Sequence, residues 1–227
     1  MPVKSAGLLS KAFAVYAKDI RLELRSRYAI NSILMFGVTT LAMVSFSLGQ
    51  SGLSPKVLGA LFWIILFFSS TAGLSLVFVR EEEAGTALAL RLAADPTAVY
   101  LGKLFFNFTL LTLMAVVITP LFFVFTDASA GDLPSFLLTL ILGVVGLCGA
   151  STLVAAIISR AAIKGALFAV LSFPLMITLM ILLVSATSKG MEGGALGEIS
   201  SELQALLAYG VIMITASLLL FRYVWED

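Results

Sequence analysis

Six apolar runs, each long enough to cross a bilayer as a helix, fill most of this chain, and its charged residues collect in the gaps between them. The runs cover residues 29–48, 57–79, 101–125, 136–158, 166–185 and 205–224. A spanning helix needs about 20 mostly apolar residues. Run 57–79 carries no charged residue, and at about 1.5 Å of rise per residue it reaches roughly 34 Å. A helix on the surface of a soluble core is apolar only along the stripe it buries. Hydrophobic residues make up 60% of the chain and the mean hydropathy is +1.10. The expected fold is therefore all-α: a polytopic membrane protein with six transmembrane helices, forming one transmembrane domain over residues 1–227.

The chemistry available to such a chain is narrow. It has no histidine, which removes the commonest metal and haem ligand and the usual acid–base group near neutral pH. Its one cysteine, Cys148, lies inside an apolar run, so neither an intrachain disulfide nor a cysteine metal cluster is possible. The expectation is a protein that is not an enzyme and binds no cofactor directly. The first 28 residues carry six lysines and arginines with no apolar core ahead of them, unlike a cleavable signal. A nucleic-acid partner does not fit a chain of net charge +1 embedded in lipid.

Basic residues in short loops set membrane orientation. Lys4, Lys11, Lys18, Arg21, Arg25, Arg27, Arg80, Arg91, Lys103, Arg160, Lys164 and Arg222 fall on one side of a six-span arrangement, and only Lys56 and Lys189 on the other. Both termini are accordingly expected in the cytoplasm. Tyr223 and Trp225 read as an aromatic anchor at the last interface. Before the first span, Leu9, Phe13, Tyr16, Ile20 and Leu24 recur at helical spacing, with Lys11, Lys18, Arg21 and Arg25 mostly elsewhere. Asp19, Glu23 and Arg27 follow at i, i+4 spacing. This predicts a basic amphipathic helix on the cytoplasmic leaflet, its apolar face on lipid or on a partner.

The connection between the second and third runs is the most charged. Residues 81–83 are all glutamate, Gly85 and Asp95-Pro96 are breakers, and residues 86–92 contain strong helix formers with Leu88 and Leu92 one turn apart. A short surface helix is expected here, with the glutamates near its N-terminus to complement the helix dipole.

Six spans, the basic N-terminal helix and this acid-rich, Gly-Thr, short-helix, Pro, Gly-Lys loop resemble the permease subunit of ABC transporters of the ABC-2 type. Within that group the chain is similar to the cytochrome c maturation permeases of the CcmB, or haem exporter, family. The matching stretches are Ile20-Arg21-Leu22-Glu23-Leu24-Arg25, residues 78–103, residues 160–165 after a span rich in small residues, and Ser172-Phe173-Pro174-Leu175. The resemblance implies an inner-membrane permease that leaves ATP to a separate ATPase subunit. In agreement, Gly102-Lys103 lacks the flanking residues of a phosphate-binding loop. It further implies a coupling helix in the loop, with Arg80, Glu81, Glu82, Glu83, Gly85, Thr86, Leu88, Arg91 and Pro96 docking on that ATPase. The implied partners are a haem-handling membrane subunit, a small single-span subunit, a haem chaperone and a second copy of this chain. Haem is the implied cargo, moved across or handed to the chaperone. Export of another compound, such as a lipid, drug or polysaccharide precursor, is the alternative. An intramembrane enzyme or ATPase-independent assembly factor is a more distant one.

Within the membrane, no charged residue is expected in the interiors of spans two to six, unlike ion-driven carriers. Asn107, Thr152 and similar polar residues read as helix–helix hydrogen bonds, and Gly143, Gly146, Gly149 and Ala150 as a close-packing face. Pro120 and Pro174 are expected to bend their helices or to free backbone carbonyls. The outer connection 186–204 is expected to be long, and the family likeness makes 197–204 a candidate short re-entrant helix.

Overall fold

The structure is a computed structural model and describes residues 7–48, 53–74, 81, 83–158 and 164–226. Among them it is all-helical. We number the helices α1 (Leu8–Ser26), α2 (Tyr28–Leu48), α3 (Pro55–Leu74), α4 (Ala87–Ala93), α5 (Pro96–Thr126), α6 (Leu133–Ile158), α7 (Lys164–Met191) and α8 (Ser200–Glu226). Among the described residues, five helices are long and apolar enough to span a membrane: α2, α5, α6, α7 from Phe173, and α8. Six were expected. The remaining one, run 57–79, corresponds to α3, an apolar helix over Pro55–Leu74. Residues 75–79 lie outside the described residues.

The bundle is built around α6. In its most apolar window 78% of residues are buried inside the protein, against 22% to 33% in the other four. Small residues make this possible. A methyl group on Gly143 would stand 2.1 Å from the Trp63 ring and 2.7 Å from Leu183; on Gly146 it would meet Leu179 at 2.9 Å, and on Gly149 Ile214 at 3.2 Å. The glycine face thus lets α3, α7 and α8 approach α6 within one chain. Trp63, fully buried, donates its indole N–H to Thr187 Oγ1 at 2.8 Å. Phe62 packs edge to face on Trp63 and on Phe122, and lies tilted against Phe136. Asn107 donates to Thr152 at 2.9 Å, joining α5 to α6 as the polar pattern predicts.

At one end of the bundle the α5–α6 turn is pinned to the last turn of α7. Asp132 N–H donates to the Gly190 carbonyl at 2.9 Å and Gly131 N–H to that of Met191 at 3.2 Å. Helix α7 runs on to Met191, so the long connection expected over 186–204 contracts to residues 192–199. The expected separate helix over 197–204 is instead a turn followed by the start of α8. Lys189 and Glu202, 2.5 Å apart, hold the two helix ends together, and Glu202 suits the first turn of α8. The helices continue through Pro120 and Pro174.

At the opposite end, α5 begins at Pro96, five residues earlier than expected, with proline in the first turn, where its missing N–H costs nothing. Its 31 residues reach about 46 Å, well beyond a hydrocarbon core of about 30 Å. Helix α1 packs along its N-terminal turns, from Gly102 to Thr109. Gly102 permits this. A methyl there would lie 2.7 Å from Val15 Cβ and 2.8 Å from the Ala12 carbonyl.

Candidate functional site

The sequence turns α1 onto α5 by a face that is not its most apolar one. Ala12, Val15, Asp19 and Glu23 are buried at helical spacing. The expected stripe lies to one side of that face. Leu9, Phe13 and Leu24 are exposed, and Tyr16 and Ile20 are half-buried. Glu23 accepts a hydrogen bond from Ile30 N–H at 2.9 Å in the first turn of α2, so it fixes the corner made by Arg27, whose φ is 54°.

Asp19 belongs to a cluster that, among the described residues, brings together four charges. Lys103, in the third turn of α5 and 1% exposed, lies 3.0 Å from Asp19 and 2.8 Å from Glu81. Lys18 is paired with both carboxylates, 3.2 Å from Asp19 and in close contact with Glu81. Thr86 Oγ1 donates to the second Glu81 oxygen at 2.7 Å. Among the described residues two cations face two anions here, and such pairing lowers the cost of burying charge. Burial alone would raise the Glu81 carboxyl, but the Lys103 charge and hydrogen bond, with Lys18 and Thr86, outweigh it and hold it at about 2. Burial would lower Lys18; Asp19 and Glu81 reverse that and raise it.

This cluster organises the loop ahead of α5. Thr86 N–H donates to the Glu81 carbonyl at 3.0 Å, and Gly85, at φ 66°, makes the turn between them. A left-handed backbone favours glycine there. Helix α4 follows over Ala87–Ala93, as the helix formers predict. Glu81 does not sit on the dipole of α4 as expected; it points to Lys103. Ala87 faces inward, whereas Leu88 and Leu92 are 67% and 83% exposed. The far end of α4 is tied to α8. The Arg91 guanidinium lies over the Trp225 ring, 5.1 Å from its centre, Trp225 stacks on Phe221, and Phe221 meets Tyr100 of α5. Trp225 is therefore buried rather than anchored at a membrane interface; Tyr223 is the exposed aromatic of that turn. Lys11 also reaches Asp95, at 2.8 Å, just before Pro96.

Of the expected loop residues, Glu81, Thr86 and Arg91 are fasteners, Gly85 and Pro96 shape the turns, and Glu83 and Leu88 are exposed. Arg80 and Glu82 lie outside the described residues. Sequence reasoning missed Lys18, Asp19, Lys103 and Trp225 as parts of this arrangement. Lys103, expected at the entrance of the third span, lies in the third turn of α5 because that helix starts earlier, and α1 covers it. A lysine at i, with Gly beside it and an apolar run beyond, was the available signal. Among the described residues no group of three or more His, Cys, Asp or Glu side chains can hold a metal ion.

The chain matches the CcmB protein family over residues 10–222, which take in α1 from its first turn, the charge cluster, the loop and nearly all of α8. It belongs to that family. It is thus a multi-pass membrane protein and a haem-exporting ABC permease component, a subunit that is not itself catalytic. No curated protein matches the chain at significant similarity.

Proposed function

We propose that this chain is the inner-membrane subunit that converts the stroke of a separate ATPase into haem delivery for c-type cytochrome assembly. The observation that carries the reading is a short helix, α4, that exposes Leu88 and Leu92 while both of its flanks are fastened to the bundle, by Glu81 on Lys103 and by Arg91 over Trp225. Exposed leucines on a braced helix suit a knob that enters a cleft of a partner. Bracing at both ends is what a lever requires, since a force on a loosely tethered loop would be lost in that loop. In the sequence pattern the loop falls on the side to which twelve of the fourteen basic residues are assigned. We place that side, with both termini, in the cytoplasm beside the ATPase subunit. The exposed stripe of α1, with Arg21 and Arg25 exposed toward its other side, suits the lipid interface.

In this reading two copies of the chain form the membrane half of the complex. ATP binds and is hydrolysed on the partner subunit. The displaced loop tilts the connected spans, and the motion serves the haem-handling membrane subunit, the small single-span subunit and the haem chaperone, releasing the loaded chaperone. Haem is cargo and not a resident group of this chain. Replacing Leu88 and Leu92 together with Glu tests the reading. Both are exposed, so insertion and stability stay near wild type, while co-purification of the ATPase subunit and assembly of c-type cytochromes are lost. Retained association with intact cytochromes would refute it.

A further inference from the structure

We propose that α1, the 81–95 loop and the first turns of α5 form one rigid body held together at Lys103, so that a displacement of the loop is delivered directly to the lipid-facing stripe of α1. The inference rests on the coupling role given to the loop and goes beyond it by naming what the loop moves. Three chain segments meet at one ammonium group. Asp19 comes from α1, Glu81 from the loop, and Lys103 itself from α5. Lys18 bridges the same two carboxylates from the α1 side, and Lys11 adds a second tie from α1 to Asp95. Sliding α1 away from the loop would part buried charges on both sides at once, an expensive step that a concerted movement avoids. At Gly102 the backbones of α1 and α5 are close enough that no side chain fits between them. By contrast, the face of α1 carrying Leu9, Phe13 and Leu24 stays exposed. It is the free side of the body, and the basic flank beside it selects a membrane surface. A loop stroke would therefore rock an interfacial helix in the leaflet as well as tilt a span.

Spin labels at Ala14 on α1, Ala93 on α4 and Ala195 at the far end, all exposed positions, test this in the permease–ATPase complex in lipid nanodiscs. The native Cys148 is buried and stays unlabelled. On addition of ATP and vanadate, the 14–195 and 93–195 separations should both change by roughly 2–5 Å, while 14–93 stays constant within about 1 Å. Lys103→Met, and independently Asp19→Asn, should make the 14–93 separation nucleotide-dependent while the ATPase subunit remains bound; Lys103→Arg should restore it. Movement of Ala93 without Ala14 in the native protein overturns the proposal and leaves the coupling reading standing. So does a 14–93 separation that stays fixed in a folded Lys103→Met protein. No movement of Ala93 at all overturns the coupling reading, and the proposal with it. The native measurement needs no variant, so a Lys103→Met protein that fails to insert does not blunt the test.

Discussion

Lys103 donates a hydrogen bond to Glu81 across 2.8 Å from two turns inside α5, where the same lysine also meets Asp19 of α1. A buried lysine at the edge of a membrane-spanning segment is stable only while it is paired. That single requirement ties the N-terminal helix and the loop to the bundle, which is also held by the close contacts of Gly102 with α1, of Gly143 with Trp63 and of Arg91 with Trp225.

Acid should loosen this junction. The Glu81 carboxyl is held at about 2, against an ordinary value of 4.5, because Lys103, Lys18 and Thr86 outweigh the effect of burial. A lowered carboxyl contributes stability that is complete above 4.5 and is lost as the pH falls toward 2. The raised Lys18 ammonium acts oppositely: its contribution is complete below 10.5 and lost only at higher pH. Amide exchange of α1, corrected for its intrinsic pH dependence, should stay slow from about pH 5 to 10 and accelerate below about 4. In Glu81→Gln it should be faster near neutrality and its acid dependence weaker.

Gly102→Leu should release α1 from α5. Even the methyl of Gly102→Ala lies 2.7 Å from Val15 Cβ and 2.8 Å from the Ala12 carbonyl, so one backbone must shift. Overpacking of this kind costs about 1–3 kcal/mol. Exchange of α1 amides should rise in Ala and rise further in Leu, while that of α6 stays unchanged.

Much of this architecture is legible in the chain. Apolar runs of about 20 residues mark the spans because lipid leaves a helix no polar face to display. Gly85 and Pro96 bracket α4 for reasons of backbone geometry that act locally. What could not be read depends on tertiary pairing. Asp19 at i, i+4 from Glu23 looks like part of a surface ladder, yet it pairs with a lysine 84 positions away. Trp225 at the end of a span reads as an interface anchor until Arg91 is seen to cover its ring. The periodicity of α1 identifies its apolar stripe correctly but not the face that docks. Docking is decided by two charges and the missing side chain at Gly102, and those outweigh the extra apolar area.

Trp63 and Gly143 should behave as a coupled pair. A methyl on Gly143 stands 2.1 Å from the indole, so Gly143→Ala should lower stability by about 1–3 kcal/mol. Trp63→Phe removes the clashing ring edge and the hydrogen bond to Thr187, and is destabilising alone. The double variant should lose less than the two singles combined. A thermal-unfolding cycle in detergent measures the difference, and strict additivity would place the two contacts apart.

Trp225→Ala should loosen α4 without disturbing Glu81. The guanidinium of Arg91 lies 5.1 Å from the ring centre, a contact worth about 0.5–2 kcal/mol. Faster amide exchange confined to α4 and the end of α8 is the expected result, with Trp225→Phe intermediate.

A photo-crosslinking residue placed at Leu92, which is 83% exposed on α4, tests the coupling assignment most directly. In native membranes it should capture the ATPase subunit, and a membrane-impermeant thiol reagent applied from outside the cell should fail to reach a cysteine at the same position. Labelling of that cysteine from outside, or capture of lipid alone with the complex intact, would contradict the account.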